Sequence, residues 1–297
     1  MTQKNTLLLD LVAFTTVAIW GTTFVWTKLL IINGLSPAQI FTLRFIIAYI
    51  LLCGFSLTRK KSHRWFSDNW KDELVMILLG VTGGSMYFLT ENEALRFTTA
   101  TNTSLIVCSC PLFTALIVGL CYKAERYHSR QVIGTLMALA GMAIVVLNGH
   151  FVLHLSPLGD FLAFSACISW AFYSLLMKRV MGRYSSMMIT RKVFFYGILT
   201  SLPYYLFVPD FPSVEVLTRP SVLANLLFLG SVASMLCFLT WSWCMKGLGA
   251  VRCTNYVYFN PITTIVAAWL ILNEQITIFF LIGSALIIGG MVLMDKK

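Results

Sequence analysis

Charge is scarce in this sequence of 297 residues. Lys, Arg, Asp and Glu together make up 11% of it, whereas an ordinary soluble domain has about 25%. Only 12 residues are acidic, against 22 basic ones, and 58% of the chain is hydrophobic, with a mean hydropathy of +0.80. Because so few charges cannot cover the apolar surface of a soluble globule of this size, the composition places the chain in a lipid bilayer.

Several motifs of membrane-associated chemistry are also missing. The sequence has no nucleotide-binding loop, no G-x-S-x-G nucleophile elbow and no C-x-x-C pair. Primary active transport and most hydrolase chemistry therefore lack support, and we expect no enzyme activity and no cofactor. The eight cysteines are expected to pack as small apolar residues, and we expect no metal site among them and the four histidines.

Long apolar runs are abundant. Runs of about 20 residues, bounded by charges, Pro or Gly, predict ten transmembrane helices. They lie at 7–32, 37–57, 74–96, 99–122, 130–148, 157–180, 189–208, 222–246, 251–272 and 277–294. The first run is too long for a signal peptide and carries Asp10, so it is expected to stay in the mature protein. No segment between the runs is long enough for a soluble domain, which leaves one membrane domain.

Basic residues concentrate on one side of this arrangement. With the N-terminus in the cytoplasm and the runs alternating in direction, 18 of the 22 Lys and Arg residues fall in cytoplasmic loops or helix ends. This imbalance predicts that both termini are cytoplasmic. The basic excess is then a topology signal with some affinity for anionic lipid, and we expect no nucleic-acid partner.

The sequence is an internal duplication. An offset of 150 residues aligns uncommon residue types in the same order, including Asp10 with Asp160, Trp20 with Trp170 and Pro111 with Pro261. The halves are 1–148 and 154–297, with five predicted spans each. Because five is odd, the second copy must enter the bilayer from the opposite side. The predicted fold class is therefore an all-α polytopic membrane protein of ten transmembrane helices in two inverted five-helix repeats, a plan typical of secondary transporters.

Short motifs in both halves point to one family. The first half carries Ile19-Trp20-Gly21-Thr22-Thr23-Phe24, Ser36-Pro37 and Arg44-Phe45, and Pro111, Gly134 and Gly141 return in the second half as Pro261, Gly283 and Gly290. The combination resembles the EamA-type domains of the drug/metabolite transporter superfamily over nearly the whole chain. The second copy departs from the pattern, with Ala171 in place of the Gly after the Trp.

The resemblance implies a carrier in a bacterial cytoplasmic (inner) membrane. Such a carrier would move small metabolites, often outward, with amino acids a common substrate class. It would have ten helices and a central cavity walled by the first, third and fourth helices of each half.

Helical spacing selects candidate cavity residues in these walls. The first helices of the halves supply Trp20, Thr23, Trp170 and Tyr173; the third helices supply Tyr87, Glu91 and Trp241; and the polar residues near the two prolines are Asn102, Asn255, Tyr256 and Asn260. Each of these residues has packing between helices as its alternative role.

Three further residues are candidates for gating. Arg44 and Glu91 lie at similar predicted depth, so we expect Arg44 to pair with Glu91 or Glu93 as a gate, a substrate contact or a structural pair. Pro111 and Pro261 stand in the middle of their predicted spans. They would serve either as paired hinges or as plain structural kinks.

The last helix of each half has small residues for close packing. Gly134-x-x-x-Ala138 and Ala285-x-x-x-Gly289 predict tight contact between helices or between subunits. We expect a monomer or a weak homodimer.

These features together predict a secondary, ATP-independent carrier that works by alternating access. The leading hypothesis is an exporter of amino acids or related amphipathic metabolites, with a small molecule and the lipid bilayer as its partners. The alternatives are a carrier of drugs or nucleoside-like solutes and, in a different class, a lipid-handling or sensory membrane protein.

Overall fold

The computed structural model describes residues 3–57, 65–97, 103, 106–123, 128–147, 156–207, 211–272 and 277–295. Asn102 lies outside the described residues. Within them the chain is helical and contains no strand. The helices are α1 Gln3–Ile32, α2 Pro37–Leu57, α3 Trp70–Gly80, α4 Met86–Phe97, α5 Cys110–Cys121, α6 Ser129–Leu147, α7 Pro157–Val180, α8 Ser186–Phe207, α9 Val214–Thr218, α10 Pro220–Phe228, α11 Cys237–Leu248, α12 Ala250–Asn255, α13 Asn260–Leu272 and α14 Ile278–Asp295.

The chain is an all-α polytopic membrane protein. Five stretches are long and apolar enough to cross a bilayer, namely Asn5–Ile32, Pro37–Leu57, Trp70–Ala94, Pro157–Val180 and Pro220–Leu248. Shorter apolar helices lie at Cys110–Cys121, Ser129–Val145 and Ile278–Met294. The count of ten spans stays a prediction, because several predicted spans are shorter in the described residues or extend beyond them.

The third helix of each half is interrupted by a wide turn at the same place. A π-helical segment, Val81–Ser85, joins α3 to α4, and a second one, Leu229–Leu236, joins α10 to α11. Each begins beside a glycine of the repeat, Gly80 or Gly230. A π-helical turn shifts the backbone hydrogen bonds and often marks a functional site in a helix.

The fourth helix of each half is also interrupted, immediately before its proline. Pro111 and Pro261 lie in the first turn of α5 and α13, and α13 follows a 3₁₀ turn at Tyr256–Phe259. A proline there costs no intrahelical hydrogen bond, since the first backbone N–H groups of a helix have no partner within it. The prolines therefore start new helical segments and do not kink continuous ones.

The two halves pack against each other through reciprocal pairs of elements. α1 contacts α11 while α4 contacts α7, and α1 contacts α13 while α5 contacts α7. Likewise α2 packs on the second π-helical segment and α8 on the first. Each contact thus has a counterpart with the halves exchanged, as a pseudo-two-fold axis requires.

The last helices of the halves, α6 and α14, pack side by side within one chain. A Cβ atom added to Gly283 would lie 2.5 Å from the carbonyl oxygen of Gly141, and one added to Gly290 would lie 2.5 Å from that of Gly134. Glycine is required here because two backbones touch. The close packing predicted for this helix therefore occurs between the repeats of one chain.

Charged side chains join the start of α3 to the second half. Asp72 accepts hydrogen bonds from Arg183 and from the hydroxyl of Tyr184, each at 2.8 Å. Glu73 contacts Lys192 and Tyr196 of α8. Buried charge in this region is thus paired, as the low polarity of a membrane protein demands.

Candidate functional site

A small cavity lies between the two halves and is lined by residues of both. Its walls come from the first three helices of the first half, the first and third of the second, and the interrupted fourth helix of each. The lining residues are Trp20, Thr23, Phe24, Arg44, Tyr87, Phe88, Glu91, Val107, Cys110, Trp170, Phe238, Val257 and Asn260.

Most of the apolar wall consists of residues at equivalent positions of the two repeats. Trp20 and Trp170 meet edge to face with ring centroids 5.7 Å apart. Phe88 and Phe238, and Val107 and Val257, are further pairs separated by the repeat offset of 150 residues. The duplication therefore builds a symmetric apolar frame around the cavity.

The charged groups in the cavity come from the first half alone. Arg44 is 4% exposed and Glu91 6% exposed, and the hydroxyl of Tyr87 donates a hydrogen bond of 3.1 Å to Glu91. The equivalent positions in the second half are Phe194 and Trp241. Two opposite charges therefore lie in a cavity whose other walls are mostly aromatic and aliphatic.

Arg44 and Glu91 lie close enough for their charges to attract each other, but the described residues show no direct ion pair from Arg44 to Glu91 or Glu93, so the expected pairing stays a prediction. The Nε of Arg44 donates a hydrogen bond of 2.8 Å to Ser234 in the second π-helical segment, and its guanidinium lies 4.7 Å from the ring centroid of Phe88. Glu93 instead pairs with Arg96 at 3.1 Å. Similar depth along two helices places Arg44 and Glu91 at one cavity, whereas direct contact also depends on the direction in which each helix face points.

Two other lining side chains are polar, deeply buried and without a hydrogen-bond partner in the described structure. They are the indole Nε1 of Trp170, a donor, and the Oδ1 of Asn260, an acceptor. The residues are 5% and 8% exposed. Leaving such groups unsatisfied costs about 1–3 kcal/mol each, so a ligand that bonds to them would recover that free energy.

Trp20 differs from its repeat partner in this respect. Its Nε1 donates a hydrogen bond of 2.9 Å to the carbonyl of Ala233, inside the second π-helical segment. In the other half the matching contact is made by Ser169, whose hydroxyl donates to the carbonyl of Thr82 at 2.8 Å. The indole N–H of Trp170, next to Ser169, has no such bond in the described structure.

The remaining predicted residues do not line the cavity. Two of them pack against the lining tryptophans, and two lie elsewhere. Trp241 and Tyr173 are fully buried beside the lining tryptophans, with centroids 5.0 Å from Trp20 and Trp170 respectively. Asn255 is buried outside the lining. Tyr256 donates a hydrogen bond of 2.9 Å to Asp10, away from the cavity.

Six lining residues were absent from the sequence prediction, and they are mostly apolar: Phe24, Phe88, Val107, Cys110, Phe238 and Val257. On apolar helices such side chains carry no polar signal that would mark them as cavity residues. The duplication held a usable signal, because Phe88 and Phe238 align at the repeat offset of 150 residues, and Phe88 directly follows Tyr87. In the described part of the chain, no group of three or more His, Cys, Asp and Glu side chains could hold a metal ion.

The comparison with protein families decides the class of this protein. The model of the EamA-like transporter family matches residues 7–147 and again residues 157–294. The chain belongs to the EamA-like transporter family. The two matches are the two halves of the duplication, so each half is one EamA repeat.

Individual relatives support the family over the full length. An uncharacterized transporter of Archaeoglobus fulgidus is 28% identical over 299 residues, covering 100% of this chain and 99% of the relative. A "probable terminal-alkyne amino-acid exporter" of Streptantibioticus cattleyicolor is 25% identical over 228 residues, covering 76% and 74%. A solved crystal structure with 21% identity superimposes with a TM-score of 0.78 over 97% of this chain and 96% of that one, which supports the fold. As an EamA-like transporter, the chain is a membrane protein with a small-molecule substrate.

Proposed function

We propose that this EamA-like transporter is a secondary carrier of amino acids or related amphipathic metabolites, and that it exports them by alternating access. One observation carries the proposal. A buried guanidinium and a buried carboxylate, Arg44 and Glu91, line the same aromatic cavity at the interface of the repeats.

Two opposite charges in one cavity favour a zwitterion as cargo. A buried charge is costly unless it is paired or hydrated. The α-carboxylate of an amino acid would bond to Arg44 and the indole N–H of Trp170, and its ammonium group to Glu91 and the Oδ1 of Asn260. A substrate with both groups would satisfy all four, whereas one with a single charge would leave a partner uncompensated.

The aromatic walls favour an apolar or aromatic side chain on that zwitterion. Trp20, Trp170, Phe88 and Phe238 present ring faces and edges around the charged groups. Aromatic contacts of this kind add about 0.5–1.5 kcal/mol beyond burial of apolar area. One relative is named as an amino-acid exporter, which agrees with this substrate class.

Alternating access is supported by the reciprocal packing of the repeats. Two repeats of inverted topology can exchange conformations and so move an opening from one side of the membrane to the other. We place the carrier in a bacterial inner membrane with ten spans, as repeats 1–148 and 154–297, and with both termini in the cytoplasm.

Counterflow in proteoliposomes tests the proposal. Vesicles are loaded with unlabelled L-phenylalanine or L-leucine, and uptake of the same labelled amino acid is measured. We expect exchange of the zwitterion, with no competition from phenethylamine or 3-phenylpropionate, each of which has one of the two charges. Arg44→Gln and Glu91→Gln should each weaken apparent affinity about 10- to 100-fold, since a charge-assisted hydrogen bond is lost.

Arg96→Gln is the matched control, because Arg96 is exposed and pairs with Glu93 outside the cavity. Equal exchange by wild type, R44Q and E91Q would contradict the two-charge site. Exchange of uridine in place of amino acids would favour a nucleoside-like cargo, and binding without exchange would favour a sensor. Metabolites inside and outside cells, compared with and without overexpression, report the direction.

A further inference from the structure

A second polar cluster joins the two repeats far from the cavity's charged groups. Arg252 of α12 donates a hydrogen bond of 3.0 Å to Oδ2 of Asp10, and Tyr256 donates one of 2.9 Å to Oδ1. Asp10 lies on α1 ten residues before Trp20, about 15 Å along the helix. The Asp10 carboxylate is therefore held by two side chains of the other repeat.

The residues next to this cluster are tightly packed. The thiol of Cys244 donates to the carbonyl of Leu9 at 3.4 Å, and Cys244 and Cys253 are both 0% exposed. Gly249, with φ of 90°, provides the turn from α11 into α12 that starts the segment carrying Arg252. None of these described residues lines the cavity.

In the sequence, two of the three residues of this cluster have no counterpart of the same chemistry in the other repeat. Asp160 is the repeat counterpart of Asp10, but the positions equivalent to Arg252 and Tyr256 are Asn102 and Ile106. The sequence therefore provides no equivalent cation or phenol for Asp160. The two ends of the carrier therefore differ. The contacts of Asp10 with Arg252 and Tyr256 would have to break if the Asp10 end opened.

We infer that Asp10, Arg252 and Tyr256 form a latch that holds the Asp10 end of the cavity closed and biases the carrier toward the state seen here. In the predicted topology the Asp10 end is cytoplasmic, so the latch opens each time cargo loads from the cytoplasm. The latch, defined as these three side chains, stabilises one of two otherwise similar states.

This inference rests on the alternating-access proposal, but it is tested without any substrate. Cys244 and Cys253 are natural reporters beneath the latch. The full-length protein in detergent is treated with N-ethylmaleimide, and the modification rate of each cysteine is measured by peptide mass mapping. Cys121, which is exposed, calibrates the reagent, while the buried Cys108 and Cys167 report general loosening.

Asp10→Asn and Arg252→Gln should raise the modification rates of Cys244 and Cys253 about three- to tenfold, as expected for loss of a partly exposed ion pair and its hydrogen bonds. The charge-swapped double variant D10R/R252D should return both rates toward wild type. Tyr256→Phe removes one hydrogen bond to the same carboxylate and should give a smaller rise, which keeps the test usable if D10N folds poorly. Glu215→Gln is the matched control, because it breaks a 3.1 Å ion pair to Arg219 that stays within one short segment.

Wild-type rates in D10N, R252Q and Y256F would overturn the latch. An equal rise at Cys108 and Cys167 would also overturn it, since the variants would then loosen the whole fold. Cysteine labelling as expected together with failed amino-acid counterflow would refute the proposed cargo and leave the latch in place.

Discussion

Trp20 and Trp170 occupy equivalent positions in the repeats, yet their indole nitrogens have different surroundings. Trp20 bonds to the carbonyl of Ala233, whereas Nε1 of Trp170 has no partner in the described structure. The same residue type therefore bonds to a helix of the other half in one repeat and carries an unpartnered donor in the other. Their spacing in sequence identifies both as cavity residues but cannot distinguish these roles, which depend on where Ser169 and the π-helical carbonyls lie.

Phenylalanine substitutions separate the two roles, because each keeps an aromatic ring and removes the N–H group. Both variants lose the same ring volume, and Trp20→Phe also loses a buried hydrogen bond, so it should be about 1 kcal/mol less stable than Trp170→Phe. Trp170→Phe should raise the KM of amino-acid counterflow about three- to tenfold. Thermal unfolding in detergent and concentration-dependent counterflow measure the two effects. An unchanged KM in W170F would mean that cargo does not use this donor.

At the scale of whole elements, the sequence does not predict where the helices are interrupted. Hydropathy predicts the long spans well, as in 37–57 and 157–180, whose observed bounds are Pro37–Leu57 and Pro157–Val180. It cannot predict the π-helical segments, because their backbone geometry depends on side chains of the other half, including Trp20 and Ser169. The hinge role of Pro111 and Pro261 remains a prediction. Their position at the start of new helical segments is compatible with bending there.

The contact between α6 and α14 gives a prediction for this scale. Gly283→Ala should destabilise the protein by about 1–3 kcal/mol, because the added methyl group would force apart two backbones that touch. Gly182→Ala is the matched control, since nothing lies within 4 Å of the methyl group it would add. Thermal unfolding in detergent compares the two variants. Equal stabilities would show that the helices can separate at no cost.

For the whole molecule, the polar residues of the cavity could be predicted from the sequence, whereas the apolar ones and the contacts between the halves could not. Glu91, Tyr87 and Asn260 were found by helical spacing, because polar residues are conspicuous on apolar helices. The apolar frame was missed, since Val107 and Val257 look like any lipid-facing valine until the halves are assembled. Tyr256 was predicted to meet substrate but bonds to Asp10, an interaction between residues 246 positions apart that no local pattern could indicate.

The predicted topology is a property of the whole molecule and can be measured directly. Green fluorescent protein fused to either terminus should fluoresce, and alkaline phosphatase fused at the same sites should be inactive, because both termini are predicted to face the cytoplasm. Fusion within residues 211–213, after α8, should give the opposite pattern. A periplasmic signal from one terminus alone would require an odd number of spans and would contradict the two five-span repeats.

Both charged groups of the cavity belong to the first half of the chain, and this also constrains how such a chain can evolve. An assembly of two first halves would enclose two guanidinium groups and two carboxylates, whereas an assembly of two second halves would enclose none of these four. Neither copy alone can reproduce the cavity by self-association. Covalent fusion in tandem guarantees a one-to-one stoichiometry of the diverged copies, and the gene can no longer be separated into two interchangeable parts.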